Sequence, residues 1–114
     1  MGKDVLHGAS ELLPGTLEML ILRILQRDSL DGYAIAQRLK DISRDVLQVG
    51  ESSLCPALQR LLLNGYVEAE WRPSENNRRA RYYSLTPAGR KQLLAEREEF
   101  DRLVAAIRRV LQTA

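Results

Sequence analysis

A chain of 114 residues that is 45% hydrophobic is the size of one domain with a modest core, leaving little for a separate effector module. A formal charge of +2 is too mild to argue for nucleic acid by itself, and one cysteine with one histidine excludes an internal disulfide and a zinc site of the usual ligand count. No apolar run approaches the roughly 18 residues a membrane span needs, and MGKDVLHGASELLPG lacks the apolar centre of a signal peptide, so the expected compartment is the cytoplasm, with no metal or cofactor.

Residues 1–13 read as an N-terminal arm, mixed in character and containing two glycines, either loose or one short extra turn of helix. From Thr16 the pattern sharpens. Leu17, Leu20, Ile21, Ile24 and Leu25 mark one face of a helix, Met19 and Leu22 widen it, and Thr16 is the expected cap after Pro14-Gly15. A second helix starts at Asp31-Gly32, with the Asp31 carboxylate placed to accept an N-terminal amide and Ile35, Leu39 and Ile42 facing inward. Val46 to Val49 is too short for a helix and predicts a small third strand.

The third helix carries the most information. Ser52 and Ser53 are its expected caps, Leu54, Leu58, Leu61 and Leu62 its buried face, and Asn64-Gly65 its stop. Pro56 is compatible only with the first turn, because deeper in a helix it deletes a backbone hydrogen bond. At 100° per residue the opposite face carries Ser52, Ser53, Pro56, Gln59 and Arg60. A glutamine and an arginine can each make paired contacts to base edges, and serine reaches bases or phosphate, so this face suits a major groove.

Val67, Ala69 and Trp71 alternate with Glu68, Glu70 and Arg72, the period-two signature of a half-buried strand, and Arg81 to Leu85 is its partner. Tyr83 is expected in the core with Leu85, and Tyr82 nearer solvent. Between Trp71 and Tyr82 four arginines stand against one acid, a local +3, and Arg78, Arg79 and Arg81 at the hairpin tip are candidates for phosphate or minor-groove contact. Thr86-Pro87 then starts a last helix that nothing breaks after Gly89. Leu93, Phe100, Leu103, Ile107 and Val110 recur along it with heptad spacing, interrupted only by Glu96. A helix of this length outruns a small domain, so its far half calls for a second subunit.

The predicted fold class is therefore mainly α with a small β-hairpin: a winged helix-turn-helix domain over 14–88 and a C-terminal dimerisation helix over 89–114. Taken together, GTLEMLILRIL, DGYAIAQRL, VGESSLCPALQRLLLNGYVEAEW and RRARYYSLTPAGR resemble the PadR-like family of bacterial winged-helix transcriptional regulators, over Gly15 to about Gly89. The resemblance implies a homodimer that binds an inverted-repeat operator in double-stranded DNA, usually as a repressor, with the last helix pairing the subunits. The short tail looks like that of the compact members. Where the family commonly has a tyrosine before the proline of the third helix, this chain has Cys55. If that hydroxyl touches DNA in relatives, the contact is lost here.

Cys55 also raises the idea of a thiol switch: in a first helical turn the helix terminus favours negative charge, and oxidation would add bulk where the helix must fit a groove. The resemblance further implies that some relatives bind flat aromatic compounds between subunits. Here Trp71 lies in the hairpin and the last helix offers only Phe100, so a small-molecule inducer is left open. The alternative function is a winged-helix module that binds protein, which the salt dependence of DNA binding separates. An enzyme is disfavoured, because no nucleophile, base and orienting group come together.

Overall fold

The computed structural model of the chain describes residues 15–74 and 76–113, and the backbone of Leu6–His7. The core is built on helix α1 (Thr16–Ile24), where Leu17, Met19, Ile21, Leu22 and Ile24 are buried, Ile21 and Leu22 completely. Each such aliphatic side chain contributes about 1.5–3 kcal/mol on removal from water. The cap is not Thr16 but Gly15, in the left-handed region at φ +82, with no side-chain hydrogen bond; Thr16 is the first helical residue. Strand β1 (Leu6–His7) occupies part of the expected N-terminal arm, and the rest of that arm lies outside the described residues.

Strand β2 (Leu30–Asp31) runs directly into helix α2 (Gly32–Ile42), whose N-cap is Asp31: its Oδ1 accepts from the Ala34 amide at 2.9 Å, as expected. Ile35 and Leu39 are buried. Ile42, the last helical residue, is 69% exposed, against expectation, and borders an open groove with Leu20, Ile24 and Leu47. Backbone amides of Arg44 and Asp45 then close the helix onto the Asp41 and Lys40 carbonyls, both residues at positive φ.

Strand β3 (Leu47–Gln48) falls within the segment predicted as a small strand, but it does not join the hairpin. It pairs in parallel with β1, Leu6 opposite Leu47. The third strand of the main sheet is β2 instead, giving the order β2-β5-β4 with β4 (Val67–Pro73) and β5 (Arg79–Leu85) antiparallel. A two-residue strand whose second member also caps a helix has no periodicity by which a sequence could reveal it.

Helix α3 (Glu51–Leu63) begins before the predicted caps, with Gly50 as N-cap, so Ser52 and Ser53 are inside the first turn rather than caps. Two consequences follow from that shift. Pro56 is the sixth helical residue, in the second turn, and can give no amide hydrogen to the Ser52 carbonyl. Cys55 lies just beyond the first turn. The buried face is Leu54, Ala57, Leu58 and Leu61, with Leu62 only half-buried. At the C-terminus the Gly65 and Tyr66 amides donate to the Leu62 and Leu61 carbonyls, and Gly65 takes φ +76, a Schellman closure that turns the chain straight into β4.

Helix α4 (Pro87–Gln112) is capped by Thr86, whose Oγ1 accepts from the Gly89 amide at 3.0 Å and donates to the Gly65 carbonyl at 2.7 Å. The Thr86 amide donates to the Tyr66 carbonyl. Leu93 is 1% exposed and belongs to the chain's own core, which removes it from the predicted dimerisation seam: it falls on the part of α4 that packs against α1. Phe100 is half-buried against the same core, while Leu103, Ile107 and Val110 are exposed.

Candidate nucleic-acid interface

With Leu54, Ala57, Leu58 and Leu61 fixed in the core, the outer side of α3 presents Ser52, Cys55, Pro56 and Gln59, all exposed and spaced at three- and four-residue steps. Ser53 is half-buried at the edge of this stripe. Arg60 is exposed but leans back toward α1, where its Nε donates to the Glu18 carboxylate at 2.6 Å. Only its terminal nitrogens are without a partner among the described residues. The Cys55 thiol is exposed in the middle of the stripe. Because it lies outside the first turn, the helix terminus no longer supplies the electrostatic argument for a reactive thiolate.

The hairpin divides its charges between two faces. On one, Arg72 is immobilised: Nε donates to Glu70 at 2.9 Å, Nη2 donates to the Ser29 Oγ at 3.0 Å, and the guanidinium lies 4.7 Å from the Tyr82 ring centroid. This arginine braces the wing. On the other face, the register sets Val67, Ala69, Trp71 and Pro73 opposite Leu85, Tyr83, Arg81 and Arg79. Near the base that face packs on the core through Val67, Tyr83 and Leu85, as predicted for Tyr83. Toward the tip the hairpin outruns the helices, so Trp71, expected to be half-buried, is 57% exposed beside Arg79 and Arg81. Arg78, Arg79 and Arg81 are exposed and have no ion-pair partner among the described residues.

The tip itself is a turn in which Asn77, at φ +63, donates its amide to the Ser74 carbonyl. Asparagine tolerates the left-handed region better than most residues, so the turn chemistry follows directly from the sequence. Among the described residues no group of acids, histidine and cysteine could hold a metal ion, and no helix is long and apolar enough to cross a membrane.

A helix with one buried face and one bare polar face, leading through a three-residue turn into a hairpin with an arginine-bearing tip, is the geometry of a winged helix. The family model described as transcriptional regulator PadR-like matches residues 21–95, spanning all of this unit. The chain belongs to the PadR-like family of transcriptional regulators. Its fold is similar to that of a transcriptional regulator from Clostridium thermocellum, at 27% identity and a TM-score of 0.77 over 83% of this chain and 92% of the other. It is also similar to a PadR-family transcriptional regulator from Eggerthella lenta (28%, TM-score 0.76, 88% and 85%) and to a PadR-like regulator from Bacillus cereus (25%, TM-score 0.73, 88% and 95%). PadR-like proteins are DNA-binding regulators of transcription, and the chain is not an enzyme.

Two exposed aromatics escaped the reading of the sequence. Tyr33, 78% exposed, is the second residue of α2, and its neighbour Gly32 approaches Leu54 and Leu58 of α3 closely enough that an added Cβ would lie 3.8–3.9 Å from them. The available signal was that Tyr33 falls off the Ile35–Leu39 face. Trp71 was assigned to the buried face by alternation alone, which carries no information on where the core stops.

Proposed function

We propose that the protein is a homodimeric repressor that binds an inverted-repeat operator in double-stranded DNA, acting in the cytoplasm at the nucleoid. The observation that carries this reading is the exposed stripe of α3 leading through a three-residue turn into a wing whose three tip arginines have no ion-pair partner among the described residues. In this reading α3 enters the major groove. Gln59 reads a base edge, Ser52 and Ser53 reach bases or phosphate, Pro56 and Cys55 make the close apolar contact, and the terminal nitrogens of Arg60 take a phosphate while Nε stays on Glu18. Tyr33 offers a further hydroxyl to the backbone. Arg78, Arg79 and Arg81 bind phosphates or the minor groove.

The dimer pairs through Phe100, Leu103, Ile107 and Val110 of α4, setting half-site centres about 34 Å apart, one turn of B-DNA. The test separates affinity from sequence preference. Alanine at Arg78, Arg79 and Arg81 together is expected to weaken specific and nonspecific binding alike. It should also flatten the log–log salt slope by up to about 5, for six lost phosphate contacts per dimer. Gln59→Ala is expected instead to relax base preference, at about 1–3 kcal/mol for the lost paired contact. A triple variant with unchanged affinity and slope makes the hairpin a solvated turn and removes the wing from the interface.

A further inference from the structure

Arg60 is the one basic side chain of α3, and it is held from behind: its Nε donates to Glu18 Oε2 at 2.6 Å, across 42 residues of chain. Among the described residues this is the shortest ion pair and the sole one that ties α3 to another element. The two partners are unequal. The Glu18 side chain is 18% exposed and that of Arg60 54%, so the carboxylate sits back against the protein and the guanidinium lies outside it.

Glu18 has its place independently of Arg60. It stands in the first turn of α1, whose N-cap Gly15 makes no side-chain hydrogen bond, so the partial positive charge of the helix start favours a carboxylate there. Arg60 depends on Glu18 in a way that Glu18 does not depend on Arg60. It has no other polar partner among the described residues, and a long side chain in the last turn of α3 would otherwise sample many rotamers. Pinning Nε leaves the Nη1–Nη2 edge of the planar guanidinium turned away from Glu18, a two-pronged donor of the kind that matches a phosphate.

We infer that Glu18 is a positioning residue for DNA recognition: it aims Arg60 at one backbone phosphate, and as a fixed negative charge beside the reading helix it repels any phosphate that Arg60 does not hold. Both effects penalise every seating of α3 but one. Glu18 therefore raises discrimination between sequences rather than total affinity, since the phosphate contact sets the register in which the other side chains of α3 meet the bases. Its role presupposes that α3 is the DNA-reading helix, as proposed above, and adds the residue behind that helix which fixes how it sits.

The experiment titrates the full chain, native or carrying Glu18→Gln, Arg60→Lys or both, with two labelled duplexes of equal length: one recovered from a random pool by the native protein, and one of scrambled sequence. Glu18→Gln is expected to bind the selected duplex at least about fivefold more weakly, on the scale of one weakened charged hydrogen bond. Binding to the scrambled duplex holds or tightens, because a negative charge near the DNA has been removed. An exposed ion pair adds little to stability, so the melting temperature moves by no more than a few degrees. A lysine ammonium is a point charge that cannot serve carboxylate and phosphate through separate edges, so Arg60→Lys reproduces the loss of discrimination. The double variant is then no weaker than the worse single one. An unchanged ratio between the two duplexes, effects that add in the double variant, or equal losses on both duplexes with a large fall in melting temperature would each overturn the role of Glu18 and leave the pair merely structural. A native protein that enriches no sequence from the pool overturns the reading of α3 itself, and the role of Glu18 with it.

Discussion

Gly89→Ala is expected to destabilise the fold by about 3 kcal/mol or more and to lower the melting temperature by roughly 10 °C. Two effects oppose each other. Alanine within a helix is favoured over glycine by about 1 kcal/mol, which by itself would stabilise α4. A Cβ at this position, however, falls 2.0 Å from the Tyr66 carbonyl oxygen and 2.9 Å from the Leu85 side chain. The first is a backbone atom that already accepts from the Thr86 amide, so it cannot rotate away. Relief requires α4 to lift from the turn that joins α3 to β4. Gly50→Ala is the control, since a Cβ there meets nothing within 4 Å, and loses no more than about 1 kcal/mol as a weakened cap. Thermal unfolding of the two variants decides the matter, and equal stability would show that the junction yields.

Ile107→Glu combined with Val110→Glu is expected to give a folded monomer that has lost operator binding by at least a hundredfold, because both half-sites are then bound independently rather than through one linked dimer. Both side chains are exposed in the single chain, Ile107 by 42% and Val110 by 73%, so their replacement leaves the core untouched. Phe100 is the poorer choice, since it packs partly on the chain's own core and its loss would confuse unfolding with dissociation. Light scattering together with titration of labelled duplex checks both parts. A double variant that remains dimeric places the subunit contact elsewhere.

Most of the architecture could be read from the order of the residues because it rests on strong local signals. Asp31 before Gly32, Asn64-Gly65 and Thr86-Pro87 each have one economical structural meaning, and all three hold. The misreadings lie where meaning comes from tertiary distance. Alternation placed Trp71 and heptad spacing placed Leu93, but the core ends before the first and reaches past the second. Helical periodicity likewise assigned Ile42 to the inside, whereas at the end of α2 it borders an open groove with Leu20, Ile24 and Leu47. Ser52 and Ser53 have the side-chain chemistry of caps and Gly50 has none, and placing the cap after Gly50 carried Pro56 and Cys55 into the wrong turn. The partner of Arg60 is 42 residues away on α1, a pairing that no local pattern encodes.

This PadR-like chain is proposed to read DNA through the exposed stripe of α3. The most direct test is to incubate the purified protein with a random duplex pool at physiological salt, recover the retained DNA and sequence it. The expected result is enrichment of an inverted repeat with half-site centres about 34 Å apart, and loss of base preference at one symmetric position with Gln59→Ala. A pool retained without any sequence enrichment, or a Gln59→Ala variant that selects the same sequence with the same stringency, would contradict it.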